Sequence, residues 1–125
     1  MAVPHGEQPP VLTIDTVVVD CADPLTLGRF WQHLLGGELR KDHHEEFFEL
    51  RGGAVGLDFA QVPEAKQVKN RLHLDLRVDP AQRQQAIDHA LALGATTADD
   101  LYDGDRWQVM RDPEGNEFCI VWGAA

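Results

Sequence analysis

Apolar residues along this chain recur in two rhythms, at every second position and at every third or fourth, and the order of the rhythms is stated twice. Leu12 to Cys21 (LTIDTVVVDC) is rich in β-branched residues and predicts a strand. Asp23-Pro24 supplies a capping side chain and then a proline suited to the first helical position. Leu27, Phe30, Trp31, Leu34 and Leu35 recur at helical spacing until Gly36-Gly37 stops the run. Three short strands are predicted near 38–42, 46–51 and 54–61, with His43-His44 and Gly52-Gly53 at the turns. Residues 62–70 have no apolar period and read as a connector.

The order then restarts. Leu72 to Val78 predicts a strand, Asp79-Pro80 repeats the cap and proline, and Ala86, Ile87, Ala90 and Leu91 form a helical stripe ended by Gly94. Strands near 96–101, 106–111 and 117–122 complete the second half. The last two are joined by Asp112-Pro113-Glu114-Gly115-Asn116, in which Pro presets φ and Gly takes a left-handed position. Gly37 and Gly94, Phe30 and Ile87, and Thr16 and His73 are each 57 positions apart. An internal repeat at this period predicts two βαβββ modules, over 11–62 and 70–123, within one domain spanning 1–125. The fold class expected is α+β, and neither module should bury its sheet alone, so the two must pair or exchange with another chain.

Composition narrows the function. Eleven Lys and Arg against 21 Asp and Glu give a formal charge of −10 with no basic cluster, which argues against nucleic-acid binding. No apolar run approaches the ~20 residues that cross a bilayer, and the N-terminus lacks the form of a signal peptide. Cys21 and Cys119 lie in strand-like stretches and read as free thiols in a reducing cytoplasm, with a disulfide as the alternative.

Strand alternation separates two faces. Leu72, Leu74, Leu76 and Val78 oppose His73, Asp75 and Arg77, while Phe118, Ile120 and Trp122 oppose Glu117, Cys119 and Val121. Either the second face is solvated, or a curved sheet folds it into a cavity. His73 is the leading candidate: a hydrogen-bonded strand residue, a ligand-orienting group or general base, or a metal ligand. Glu117 and Asp75 are carboxylates for His73 or, equally, partners of Arg71 or Arg77. Cys119 reads first as a buried thiol. Trp107 suits core packing and ligand stacking alike. His43-His44 is a turn rather than a metal pair, since adjacent strand residues face opposite ways.

The doubled plan, with FWQHLLGG, NRLHLDLRVD and DPEGNEFCIV in this order, resembles the vicinal oxygen chelate superfamily of glyoxalase I, bleomycin resistance proteins and extradiol dioxygenases. The likeness is nearest to the small bacterial glyoxalase-like proteins and covers about residues 12–122. It implies paired modules whose curved mixed sheets enclose a cavity, often completed in a homodimer. The family's metal positions fall on Thr16, approximately Leu57, His73 and Cys119, and Thr and Leu are not metal donors. The expected function is therefore binding of a small organic molecule without a resident metal. Catalytic roles then fall to His73 and Glu117, and substrate contacts to Thr16, Asp75, Trp107 and Cys119. The alternative is a metal-dependent lyase, isomerase or dioxygenase with a divalent ion on His73, Glu117 and Cys119.

Overall fold

A computed structural model describes residues 8–42, 47–99 and 105–123. His43-His44, and the end of the strand expected over 96–101, lie outside the described residues. The first module runs β1 (Val17–Cys21), α1 (Pro24–Leu35), β2 (Glu38–Lys41), β3 (Phe47–Arg51) and β4 (Leu57–Gln61). The second runs β5 (Leu74–Arg77), a 3-10 turn at Pro80–Gln82, α2 (Arg83–Ala92), β6 (Thr96–Thr97), β7 (Trp107–Arg111) and β8 (Glu117–Val121). Each forms a mixed four-stranded sheet, ordered β1-β4-β3-β2 and β5-β8-β7-β6. This is the α+β arrangement of two βαβββ modules.

Local chemistry sets the helix ends. Asp23 caps α1 through Thr26 N–H at 3.1 Å, Pro24 occupies the first turn, and Gly36, at φ +79°, closes the C-terminus by donating to the Gln32 carbonyl. In the repeat, Asp79 caps Ala81 N–H at 3.0 Å, but this turn is 3-10 and α2 begins only at Arg83. Helix α1 buries five residues, including Leu27, Phe30 and Trp31, whereas α2 buries only Ile87 and Ala90.

The modules share one core within the chain. Phe30 and Trp31 of α1 meet Phe118 of β8 at centroid distances of 6.1 and 5.0 Å, edge to face. Such contacts add roughly 0.5–1.5 kcal/mol each beyond the burial itself. Phe118, Phe59, Leu27, Leu57 and Met110 are fully enclosed, each worth about 1.5–3 kcal/mol of transfer free energy.

Two expected strands are shorter than their composition suggests. Residues 12–16 lie outside β1, with Leu12 86% and Ile14 85% exposed, because β4 begins at Leu57 opposite Val17 and gives them no neighbour. Leu72, expected on the inner apolar face, is 87% exposed. Pairing with β8 starts only at Leu74 opposite Phe118, and the chain just upstream is held at Asn70 by the Glu117 carboxylate.

Candidate functional site

The strand orders leave β1 and β5 as edge strands. Consecutive residues Val17–Asp20 of β1 and Leu72–Leu74, which lead into β5, line one cavity of about 580 Å³, so strand edges rather than strand faces form its walls. Trp31 and Phe118 add aromatic surface, the connector contributes Glu64, Lys66 and Asn70, and the turn contributes Asp112 and Asn116. Of the predicted site residues, His73 and Glu117 line this cavity, while Thr16, Asp75, Trp107 and Cys119 do not.

The turn before β8 does more than reverse the chain. Asp112 Oδ1 accepts N–H bonds from Glu114 and Asn116, each at 2.9 Å, and Gly115 takes φ +85°. Asp112 Oδ2 accepts from the buried Trp31 indole N–H at 3.1 Å and from the Asn116 amide at 3.0 Å. The Glu114 carboxylate accepts the Ala22 and Asp23 N–H groups at 2.7 and 2.9 Å. Two acids of the second module thus hold α1 of the first, Glu114 at its start and Asp112 at Trp31 in its later half. Burial pushes the Asp112 carboxyl up, against the lowering effect of the Asn116, Trp31 and Glu114 donors.

Glu117 is also committed. It is 5% exposed and accepts Asn70 N–H at 2.9 Å, with Lys66 Nζ at 3.2 Å and Arg111 Nε at 3.4 Å. Burial alone would raise this carboxyl; the Asn70 amide and the Lys66 ammonium outweigh it and leave it below the ordinary glutamate value. The partners weighed from sequence, Arg71 and Arg77, are not the ones used: Arg77 instead donates to the Gly123 carbonyl.

A second group gathers on the outer face of β5 and β8. His73 Nε2 lies 3.2 Å from Asp75 Oδ1, and donor atoms of His73, Asp75 and Cys119 all fall within 4.8 Å of one another. Cys119 packs in a small cluster with Ala98 and Val109, flanked by Trp107 and Val121. Burial first, then the charge of Asp75, pushes its thiol up to about 11, so it is protonated at neutral pH. An imidazole, a carboxylate and a thiol suit a divalent ion of intermediate softness. Glu117, grouped with His73 and Cys119 in the sequence reading, is drawn away from them by Lys66, Asn70 and Arg111.

Register identifies the matching position in the first module. Cys119 pairs with Asp75, and Asp58 pairs with Val18, which precedes Asp75 by 57 positions. The counterpart of Cys119 is therefore Asp58, not Leu57. Asp58 accepts the Thr16 hydroxyl at 3.1 Å and binds Arg51 at 2.7 Å, and Arg51 also binds Glu49 at 3.0 Å. Sequence reasoning missed Asp58, Asp112, Trp31, Lys66 and Asn70. Only Asp112 carried a local signal, an aspartate at the first position of a turn.

The glyoxalase-like domain family model matches residues 16–121, and the chain belongs to that family. Among curated proteins none matches this chain. A glyoxalase/bleomycin resistance protein/dioxygenase family enzyme from Burkholderia phytofirmans is similar in structure at 22% identity and TM-score 0.69, over 85% of this chain and 94% of that one. The fosfomycin resistance protein FosX of Listeria monocytogenes, in a variant complexed with Mn(II) and a dihydroxypropylphosphonic acid, is similar at 11% identity and TM-score 0.75, over 92% and 93%. A glyoxalase-related enzyme from Fulvimarina pelagi is similar at 14% identity and TM-score 0.68, over 90% and 89%. At these identities the likeness is one of fold.

Proposed function

From membership of the glyoxalase-like family and the geometry of the cleft, we propose that this protein binds a small organic molecule between β1 and β5. The observation that carries the reading is the cavity itself. Its volume of about 580 Å³ lies within the ~300–1,000 Å³ range of small-molecule sites, and its walls are apolar with a few convergent polar groups. His73 is the imidazole of the lining, with Nε2 3.2 Å from the exposed Asp75, while Glu117 and Asp112 are held by other neighbours. Its imidazole, oriented by Asp75 at Nε2, positions the ligand or moves a proton.

We further propose a cytoplasmic homodimer. Val11, Leu12, Ile14, Val68 and Leu72 are all more than three-quarters exposed, which suits burial against a second copy. Both cysteines are free and buried, as suits a reducing compartment. Among the described residues, no helix is long and apolar enough to cross a membrane.

The test is tryptophan fluorescence and amide NMR during titration with a panel of small organic compounds. Saturable shifts at Val18, His73 and Asn116 are expected, and a panel that moves none of them defeats the reading. The grouping of His73, Asp75 and Cys119 supports a second reading, a metal-dependent lyase, isomerase or dioxygenase. Those three residues would hold the ion, and a divalent ion there supplies Lewis-acid polarisation of a ligand oxygen. FosX is the related fold with Mn(II) in its complex. Elemental analysis of protein purified without a metal-affinity tag separates the readings: one equivalent of divalent metal, lost in His73→Ala, favours the second.

A further inference from the structure

The charges around the cavity do not balance. Four carboxylates line it, Asp20, Glu64, Asp112 and Glu117, against Lys66 as the one lysine or arginine among the described lining residues. Lys66 is spent, on Glu117 at 3.2 Å and on the Val68 carbonyl at 2.6 Å, and Arg111 also serves Glu117. Asp112 is only 4% exposed, and its partners are all neutral donors from Trp31, Glu114 and Asn116. Asp20 and Glu64 form no ion pair with a described residue. The negative field of the cleft therefore comes first from Asp20 and Glu64, the lining carboxylates with no cationic partner among the described residues, and low-dielectric walls carry that field inward.

Resting on the binding reading above, we infer that the ligand of this cavity is an organic cation, an ammonium or amidinium group on an apolar body. A bare metal ion fits less well at this position. The Asp112 oxygens are already filled by N–H donors, leaving no site for direct coordination, and much of the remaining wall is hydrocarbon from Val17, Val19, Leu72, Leu74 and Phe118. An organic cation meets both demands, placing its charged nitrogen by Asp20 and Glu64 and its body against the apolar walls. An anionic ligand would need a free cation in the wall, and Lys66 is not free.

The experiment compares three probes of nearly equal shape, 4-phenylbutylamine, 4-phenylbutanol and 4-phenylbutyrate, by isothermal titration calorimetry on the full chain. The amine is expected to bind about tenfold more tightly than the carboxylate, with the alcohol between. Raising salt from about 0.02 M to about 0.3 M should narrow that order. In an Asp20→Asn, Glu64→Gln double variant, both exposed sites that leave the fold intact, the preference should shrink at least about threefold. A control pair on distant surfaces, Glu38→Gln with Asp88→Asn, removes the same charge and should leave the preference unchanged. Equal or tighter binding of the carboxylate overturns the charge inference while sparing the cavity. A preference that falls equally in the control pair also overturns it, since the surface as a whole would then be responsible. Binding of none of the three defeats the cavity reading, and this inference with it.

Discussion

The two modules place different chemistry at matching positions. In the first, Thr16 and Asp58 join Arg51 and Glu49 in a closed cluster, in which the Asp58 carboxylate, 9% exposed, takes both a hydroxyl and a guanidinium. In the second, His73 and Cys119 stand with Asp75 in a group that no lysine or arginine closes among the described residues, and His73 and Asp75 remain 41% and 61% exposed. A basic side chain, Arg51, supplies positive charge at the first position. At the second, His73 and Asp75 stay open to solvent above the buried Cys119. The matching positions thus form a closed ion-pair cluster in one module and a partly exposed donor group in the other. The cavity between the edges of β1 and β5 then takes His73 from the open side and no member of the closed cluster.

The largest predicted contrast lies in stability. Asp58→Ala leaves a half-buried guanidinium with Glu49 as its one bonded carboxylate, beside the Leu50 and Leu57 carbonyls, and strips the Thr16 hydroxyl of its acceptor, so a loss of about 2–3 kcal/mol by urea denaturation is expected. Asp75→Ala should change stability by no more than about 0.5 kcal/mol, because its ion pair is exposed. Equal losses would break the comparison.

Next comes Glu117→Gln, expected to cost about 1–2 kcal/mol at neutral pH by weakening its bonds to Lys66 and Arg111. The pH dependence sharpens this. The Glu117 carboxyl is held below its ordinary value of 4.5, so its contribution is complete above that pH and fades as pH falls through the lowered value. The gap between wild type and variant should therefore close on acidification, and a constant gap would show that packing rather than charge is lost. Asp112 has the opposite sign. Its carboxyl is raised above 3.8, so folding is favoured by its protonation, and that contribution disappears as pH rises through the raised value.

Trp31→Phe should cost about 1 kcal/mol by removing the indole donor to Asp112 while keeping the aromatic contact with Phe118. Its heteronuclear NMR signature should be a shift at Asn116, the other donor to Asp112 Oδ2. The smallest stability effect belongs to His73→Ala, within about 0.5 kcal/mol, since the residue is 41% exposed. The same variant should abolish the ligand-induced shifts described above, so that effects on folding and on binding separate at this one position.

Much of the fold was legible in the chain itself. Apolar periods, the two Asp-Pro starts and the terminating glycines are local signals, and they locate both helices and the doubled order of elements. The candidate site was legible only where alternation placed a side chain on a face, as for His73, Asp75 and Cys119. Asp58 was hidden because its role follows from register, Val18 against Asp58, between segments about 40 residues apart. The bond from Trp31 to Asp112, and those from Lys66 and Asn70 to Glu117, were hidden because contacts between residues about 50 or more positions apart leave no periodic trace.

The amino-acid order by itself therefore determined the two βαβββ modules, since strand and helix periods and their caps act within a few residues. Tertiary structure decided which edges face one another, which acids are neutralised and which are left bare. Those outcomes depend on long-range pairing and on desolvation, neither of which is a property of any short stretch of chain.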